Sequence, residues 1–310
     1  MKVGVIGVGA VGSAATLSLL GIGAAREIVL VDRDAARARG VALDMGYGIP
    51  LIPRVDVRAG GYDDLTGAGL LIVTAGVNEA AGGATDRNDP VGRLRLLDRN
   101  VEIYRDLIPR LVAAAPEATI MVVTDPPDPL AELTRALAGH DRVFSTGTVL
   151  DSLRFRVHLG DHLGVCAADV QAFVIGEHGT SQVLLWSSAT VAGVPVLDLL
   201  TAQGKSVQEI RDQIATEIRY ANINIIEGIG ASQYGIGAVN ARLAEAVLRD
   251  EQAVFTVAAY HPGHKVTLSL LSVLGRAGVT QMHHPRLTEP ERDALEESAR
   301  ILRRAVERIL

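Results

Sequence analysis

Three residues in the second half of the chain have side chains that could together perform proton-coupled chemistry on a carboxylate-bearing substrate. Asp151 and Arg154 lie three positions apart, and His178 follows 24 residues after Arg154. An imidazole can give or take a proton near neutral pH, a carboxylate can hold its tautomer, and a guanidinium can bind another carboxylate through two hydrogen bonds. The set suits redox chemistry at a 2-oxo or 2-hydroxy acid.

The same residues also have purely structural explanations. Asp151 could be the N-cap of a helix that begins at Ser152, and Arg154 could be a surface residue of that helix. One histidine among eight is more often a surface or core residue than a catalytic one. The choice between the two explanations depends on the elements that position these side chains.

The composition is typical of a soluble globular protein. Of the 310 residues, 48% are hydrophobic and 21% are charged, and the formal net charge is −6. The acidic balance and the lack of a Lys/Arg run argue against a nucleic-acid partner. No segment reaches the roughly 18 apolar residues of a membrane span, so no membrane partner is expected. The length favours two lobes with a cleft between them.

The first residues and the cysteine content favour a cytoplasmic protein without a metal. The first apolar run breaks into glycines and lacks the features of a signal peptide. Cys166 is the single cysteine, which excludes an internal disulfide framework and a thiol metal cluster. The pairs His261/His264 and His283/His284 have no carboxylate or thiol at a ligand spacing, so we interpret them as solvated loop residues.

Short apolar runs alternate with helical patterns in the first half of the chain. The predicted strands are 3–6, 28–31, 70–74, 119–123 and 143–144, and the predicted helices are 10–20, 35–45 and 100–114. Such alternation requires right-handed crossovers between parallel strands. The first half is therefore predicted to be an α/β domain with a doubly wound parallel sheet.

The pattern changes after about residue 150. Helices are predicted over 152–163, 206–227 and 237–248, mixed with strand-like runs at 253–258 and 267–271. Thr288 and Glu291 have the spacing of a capping box before a last amphipathic helix. The second half is thus predicted to be an α+β lobe.

Three glycines after the first strand have the spacing of a dinucleotide-binding turn. Gly7, Gly9 and Gly12 form G-x-G-x-x-G where the first strand meets the first helix. They would permit a tight turn, close approach of a pyrophosphate and close helix packing, and the helix N-terminus favours an anion. Asp32 lies 20 residues beyond Gly12, where an acid can accept a hydrogen bond from a ribose hydroxyl.

Asp32 predicts NAD rather than NADP as the cofactor. A carboxylate accepts from a ribose 2′-hydroxyl but repels a 2′-phosphate. The neighbouring Arg33 leaves NADP open, because an arginine there could pair with the phosphate.

With these motifs in this order, the chain resembles the L-lactate/malate dehydrogenase family over essentially its whole length. Bacterial L-lactate and L-2-hydroxyisocaproate dehydrogenases are the types it resembles most. Further segments with this likeness are 74–76, 147–150, 186–188 and 234–237. The resemblance implies a Rossmann NAD-binding domain at 1–147 and a substrate domain at 148–310.

The resemblance implies a role for each residue of the opening set. His178 would exchange a proton with the substrate oxygen, Asp151 would orient the imidazole, and Arg154 would bind the substrate carboxylate. Arg93 would polarise the carbonyl from a closing loop, with Arg95 as a competing candidate, and Ser232 would help to shape the pocket. Further cofactor contacts are implied at Val11, Thr74, Ala75, Gly76 and Thr124.

One departure from the family lies after the fourth predicted strand. The family usually has Asn where this chain has Asp125. An ionised carboxylate cannot donate a hydrogen bond and repels negative charge on a carbonyl oxygen. Asp125 is therefore expected to be protonated, to turn away, or to meet a different substrate, such as a cationic cyclic imine carboxylate. A tolerated substitution is the simpler interpretation.

A second departure is the length of the loop that carries Arg93. Thr74 to Arg93 spans 20 residues, a long functional loop with Gly82-Gly83 as a hinge. The loop is similar to the hydroxyisocaproate type and could leave room for a bulky substrate side chain. Arg87 stands near the position at which a malate enzyme binds its second carboxylate.

These observations predict an NAD-dependent L-2-hydroxy acid dehydrogenase that reversibly reduces a 2-oxo acid, with a substrate larger than pyruvate preferred. The alternatives are malate oxidation, reduction of a cyclic imine, and a catalytically impaired cofactor-binding homologue. A glycosidase of related fold is disfavoured because its Cys/His metal site is missing. The resemblance also implies a homo-oligomer, dimer or tetramer.

Gln171 replaces a histidine of the sugar-phosphate effector site and leaves Arg156 alone there, so activation by fructose bisphosphate is not expected.

Overall fold

Strands and helices alternate along the first half of the chain and mix in shorter pieces along the second. The computed structural model describes residues 1–53, 55–78, 81, 85 and 92–310, with only the backbone of 92–94. The strands are β1 (Lys2–Ile6), β2 (Glu27–Val31), β3 (Asp56–Ala59), β4 (Ala68–Val73), β5 (Thr119–Val122), β6 (Val143–Ser145), β7 (Val170–Gln171), β8 (Val174–Ile175), β9 (Val183–Leu184), β10 (Thr190–Val191), β11 (Val194–Pro195), β12 (Ala253–Phe255), β13 (Ala258–His261), β14 (Val266–Ser269), β15 (Leu271–Gly275) and β16 (Gly278–His283). The helices are α1 (Ala10–Ile22), α2 (Ala35–Gly48), α3 (Gly92–Ala114), α4 (Pro127–Ala138), α5 (Val149–Leu163), α6 (Val196–Ala202), α7 (Val207–Ile229), α8 (Tyr234–Arg249) and α9 (Glu289–Glu307).

The central sheet has the order β14-β13-β6-β5-β4-β1-β2-β3. Strands β1 to β6 pair in parallel, which confirms the doubly wound parallel sheet, and β13 joins β6 in the antiparallel direction. Because β13 and β14 come from the second half, the sheet crosses the predicted boundary at 147/148. The division into two domains there stays a prediction.

The inner strands are apolar on both faces because helices cover both. Val3, Val5 and Leu30 pack in one core with residues of α1, α2 and α8. Ile6 and Val31 face the opposite core, which includes residues of α3 and α4. A parallel sheet covered in this way explains the near-continuous apolar runs that predicted its strands.

Sequence patterns missed several elements, among them β3, α4 and α6, and placed others wrongly. The edge strand β3 has only four residues, half of them charged, and α4 begins in a Pro-rich segment, so neither is easily recognised in the sequence. Helix α5 begins at Val149, not Ser152, so the N-cap explanation of Asp151 is wrong. The run 253–258 divides between β12 and β13.

Helices α1 and α8 pack closely and join the two halves of the chain. A Cβ atom on Gly237 would lie 2.9 Å from backbone and side-chain carbons of Ala14, so only glycine permits this approach. The contact holds the N-terminal end of α8 near the glycine turn that precedes α1. It positions Ser232 and Ile236, just before and within the first turn of α8, on the same side of the sheet as that turn.

The last helix has the predicted start. Thr288 and Glu291 form a capping box, with the Thr288 N–H donating to a Glu291 carboxylate oxygen at 2.9 Å. Among the helices of the described ranges, none combines the length and the apolar character that a membrane crossing requires.

Candidate active site

A cavity of about 420 Å³ lies at the carboxyl ends of the parallel strands. It extends from Gly9 in the glycine turn to His178 and Arg154, and Ser232 and Ile236 contribute to its wall. In open α/β sheets this edge is the usual position of a bound ligand. The cavity therefore brings the two sequence motifs together in one space.

The glycine turn has the shape that a pyrophosphate requires. Gly7 has φ of +92°, and a Cβ there would lie 2.6 Å from the Ala75 backbone nitrogen. A Cβ on Gly12 would overlap the Gly7 carbonyl oxygen, whereas one on Gly9 would meet nothing within 4 Å. Gly7 and Gly12 thus permit the turn itself, and Gly9 leaves open space in front of the N-terminus of α1.

Asp32 at the end of β2 is tied to this turn. Its Oδ2 accepts a hydrogen bond from the Val8 backbone N–H at 2.6 Å, and its Oδ1 accepts from the Asp34 N–H at 2.9 Å. The carboxylate therefore has a fixed orientation beside the turn. Arg33 and Arg37 line the adjacent part of the cavity.

The threonines predicted to contact the cofactor also hold strand ends together. The Thr74 hydroxyl donates to the Gly7 carbonyl oxygen at 2.6 Å, and the Thr124 hydroxyl donates to the Ala75 carbonyl oxygen at 2.8 Å. Most residues predicted to bind the cofactor line the cavity, namely Gly9, Val11, Gly12, Thr74, Gly76 and Thr124. Gly7, Asp32 and Ala75 support its wall from behind.

The residues that could exchange a proton are brought together by α5 and the segment after β8. The His178 Nδ1 atom lies 2.6 Å from Asp151 Oδ2, and Arg154 Nη1 donates to Asp151 Oδ1 at 3.0 Å. Asp151 and Arg154 share one face of the helix because they are three positions apart. His178 and Arg154 line the cavity, whereas Asp151 is 2% exposed and lies behind them.

Asp151 is ionised in this arrangement. Burial opposes the charge, but the His178 imidazole and the Arg154 guanidinium outweigh it and hold the pKa of Asp151 below its ordinary value. A fixed anion on Nδ1 leaves Nε2 as the ring atom available for proton exchange.

Asp128 is a site residue that sequence reasoning missed. It is buried at the start of α4, where Oδ2 accepts from the His178 backbone N–H at 2.8 Å and Oδ1 accepts from the Ser145 hydroxyl at 2.7 Å. Burial raises the pKa of Asp128 to about 6, against the lowering effect of these hydrogen bonds. Its place in the segment after β5, three residues from Asp125, was the available signal.

Asp125 does not turn away from the site. Its Oδ1 lies 3.9 Å from His178 Nε2, and the residue lines the cavity. Asn100 fixes the local backbone, because its Nδ2 donates to the Asp125 carbonyl oxygen at 2.8 Å and its Oδ1 accepts from the Val77 N–H at 2.7 Å. The sequence analysis did not identify Asn100 as a site residue.

The remaining predicted residues have different outcomes. Ser232 lies in the cavity wall as expected. Arg87 and the side chain of Arg93 lie outside the described residues. Arg95 is exposed, in line with its weaker candidacy.

Comparison with known protein families identifies two matching models that together cover nearly the whole chain. A model of the lactate/malate dehydrogenase NAD binding domain matches residues 1–145. A model of the alpha/beta C-terminal domain of lactate/malate dehydrogenase matches residues 148–310.

Individual relatives and structures agree with the family models. An L-lactate dehydrogenase of Deinococcus radiodurans is 45% identical over 304 residues, which cover 98% of this chain and 97% of the relative. An L-lactate dehydrogenase of Thermus aquaticus is 44% identical over 312 residues, covering 98% of each chain. The crystal structure of a minor L-lactate dehydrogenase from Enterococcus mundtii superposes with a TM-score of 0.92 at 30% identity, covering 100% of this chain and 98% of that one.

Proposed function

The chain belongs to the lactate/malate dehydrogenase family, and on this premise we propose that it reversibly reduces a 2-oxo acid to the L-2-hydroxy acid. Family membership makes it an NAD-dependent oxidoreductase acting on the CH–OH group of 2-hydroxy acids. The observation that carries the proposal is the 2.6 Å contact between Asp151 and His178 in the same cavity as the glycine turn.

The residues of the glycine turn fit the cofactor. Gly9 has open space where a pyrophosphate would approach, and Asp32 is fixed at the strand end where a ribose hydroxyl would donate to it. When bound, NADH supplies the hydride that the carbonyl carbon accepts. Thr74 and Thr124 would border the cofactor, with their hydroxyls keeping the turn in shape.

His178 acts as the acid in reduction and as the base in oxidation. Its Nε2 atom donates a proton to the carbonyl oxygen, so the 2-oxo acid gains a hydride and a proton and becomes a 2-hydroxy acid. Asp151 holds the imidazole through Nδ1 and stabilises the imidazolium. In oxidation, Nε2 takes the hydroxyl proton back.

Arg154 binds the substrate carboxylate. Its guanidinium lines the cavity and uses Nη1 for Asp151, which orients the group while its remaining N–H donors can form the two parallel bonds that a carboxylate accepts. Ser232, which also lines the cavity, would help to shape the pocket. Arg93 would polarise the substrate carbonyl. Arg87 would contact the substrate only if the substrate has a second carboxylate.

We propose a substrate with a side chain larger than that of pyruvate. The support is the 20-residue separation from Thr74 to Arg93, which permits a larger enclosed space. Malate-type activity is the alternative that Arg87 would support. Reduction of a cationic cyclic imine carboxylate is the alternative that Asp125 supports, because a carboxylate beside His178 could pair with an iminium N–H.

We also propose a cytoplasmic homo-oligomer. Large apolar side chains are exposed on and just after α2, at Leu43, Tyr47 and Leu51. Solvent exposure of such residues is unfavourable, and contact with a second copy would bury them. Light scattering of the purified protein measures the oligomeric state.

The function is tested with a panel of 2-oxo acids from pyruvate and oxaloacetate to branched and aromatic compounds, plus a cyclic imine carboxylate. NADH and NADPH are compared as reductants. We expect turnover of 2-oxo acids with NADH, best with branched side chains, and its loss in His178→Ala. Strict preference for oxaloacetate contradicts the bulky-substrate proposal, and turnover of the imine alone contradicts oxo acid reduction.

A further inference from the structure

Two carboxylates face the two nitrogen atoms of one imidazole. Asp151 contacts His178 Nδ1 at 2.6 Å, and Asp125 faces Nε2 at 3.9 Å from the turn after β5. The Asp151 side chain is 2% exposed and that of Asp125 is 18% exposed, so neither interaction is fully screened by water. The proposed proton-exchanging atom therefore has an anion beside it.

A negative charge at that position stabilises the imidazolium over the neutral ring. Unlike charges at such a separation attract strongly in a partly enclosed site, and the resulting change in proton affinity is on the order of tenfold, or about one pH unit. A neutral amide at the same position would not have this effect.

We propose that Asp125 is a positioning residue that holds the proton on His178 and so favours binding and reduction of 2-oxo acids up to higher pH. The inference rests on the proposed function, since reduction needs the protonated ring and oxidation needs the neutral one. Loss of this charge would extend 2-hydroxy acid oxidation to lower pH and restrict reduction at high pH.

The other charged groups around His178 do not replace Asp125. Among the described side chains, Asp151 already binds Nδ1 and is partly neutralised by Arg154. Asp128 contacts the backbone N–H rather than the ring, and Glu177 is held by the Ser181 N–H and hydroxyl. Asp125 is the carboxylate placed at Nε2.

The same charge has a cost in the chemical step. A carboxylate cannot donate to the carbonyl oxygen, and it opposes the negative charge that develops there. Two variants separate these effects. Asp125→Ala removes the charge without adding a donor, whereas Asp125→Asn removes the charge and adds one.

The titration of His178 is measured directly in ¹H–¹⁵N spectra of [¹⁵N]histidine-labelled protein, with its signals assigned by their loss in His178→Gln. We expect the midpoint to fall by about one pH unit in both Asp125 variants. The alkaline limit of 2-oxo acid kcat/KM should move by the same amount. At neutral pH, kcat should rise severalfold in Asp125→Asn but not in Asp125→Ala.

Glu177→Gln is the matched control, because it removes a neighbouring carboxylate that does not face Nε2. Its His178 midpoint should match that of the unmodified protein. Equal His178 midpoints in the unmodified protein and both Asp125 variants overturn the inference. A midpoint shift in Glu177→Gln as large as that in the Asp125 variants also overturns it. If the unmodified protein reduces no 2-oxo acid, the proposed function fails, whereas the NMR midpoints still decide whether Asp125 holds the proton.

Discussion

The two sides of the imidazole are built in different ways. On one side, Asp151 and Arg154 occupy successive turns of α5, so the helix itself sets their separation. On the other side, Asp125 and Asp128 lie in the turn between β5 and α4, where one faces the ring and the other accepts from the backbone. The helical side carries residues that the sequence resemblance implies, whereas the turn carries Asp125, where that resemblance predicts Asn.

The difference indicates which positions of the site can vary. Replacing a member of the helical side would break hydrogen bonds at 2.6 and 3.0 Å around a buried charge. Asp125 acts across 3.9 Å, a distance at which charge matters more than bond geometry. Substitution at the turn can therefore adjust the reaction, while substitution on the helix should impair it more strongly.

The largest effect should come from His178→Gln, which keeps a polar side chain but cannot exchange the proton. We expect kcat for 2-oxo acid reduction to fall by about 10²- to 10⁴-fold. The affinity for NADH, measured by fluorescence titration, should not change, because the glycine turn is separate from the ring. A fall in kcat of less than tenfold would mean that His178 does not exchange the proton, and the residues on either side of the ring would then have no catalytic role through it.

A smaller effect is expected for Arg154→Lys on the helical side. Lysine keeps the charge but cannot form two parallel hydrogen bonds, so KM for the 2-oxo acid should rise by about 10- to 100-fold. Arg156→Lys on the same helix is the control, because Arg156 donates to the carbonyl oxygens of Ala167 and Ala168. Equal KM changes in the two variants would argue against a carboxylate site at Arg154.

The smallest effect on activity, but the clearest pH signature, is expected for Asp128→Asn on the turn side. Burial raises the pKa of Asp128 to about 6, so its protonation below that pH weakens the bond to the His178 backbone. Activity should fall severalfold below about pH 6 in the unmodified protein and be lower but flat there in the variant. Steady-state rates from about pH 5 to about pH 8 give the measurement.

Protein stability provides a second readout at Asp128. Its folded-state pKa lies above the unfolded value, so the folded state binds the proton more tightly. The stability contributed at low pH is therefore lost as pH rises from about 4 through about 6. Urea unfolding at several pH values should show this dependence of the unfolding free energy on pH in the unmodified protein. The dependence should be absent in Asp128→Asn. Asp161→Asn, on the exposed surface of α5, should leave the slope intact.

Most of the fold can be predicted from the sequence because the spacing of the apolar residues matches the positions that are buried in each strand or helix. Strand β4 is apolar throughout and β1 is apolar after Lys2 since both faces are covered, and that pattern is visible without a structure. Strand β3 lies at the sheet edge and is half charged, so its pairing depends on β2 rather than on its own residues. Helix α4 begins in a Pro-rich segment, and its buried first turns include Asp128 and Glu132, so its start is hard to recognise in the sequence.

The site is predictable where a motif carries its own geometry. The glycine spacing requires a turn, and the i, i+3 spacing of Asp151 and Arg154 places them on one helix face. Asp128 has no such local signature, because its partners, His178 and Ser145, are distant in the chain. The position of Asp125 relative to Nε2 likewise depends on how the turn after β5 meets the segment after β8.

The close packing of Gly237 against Ala14 has a consequence for how the two ligands influence each other. Helix α1 begins at the glycine turn, and α8 begins beside Ser232, so the cofactor and substrate ends of the cavity share one packed pair of helices. Because the lack of a Cβ atom at Gly237 lets the two helices approach so closely, we expect a ligand that shifts one helix to shift the other. Affinities for dinucleotide and oxo acid are then thermodynamically linked, and by reciprocity each ligand changes the affinity for the other by the same factor.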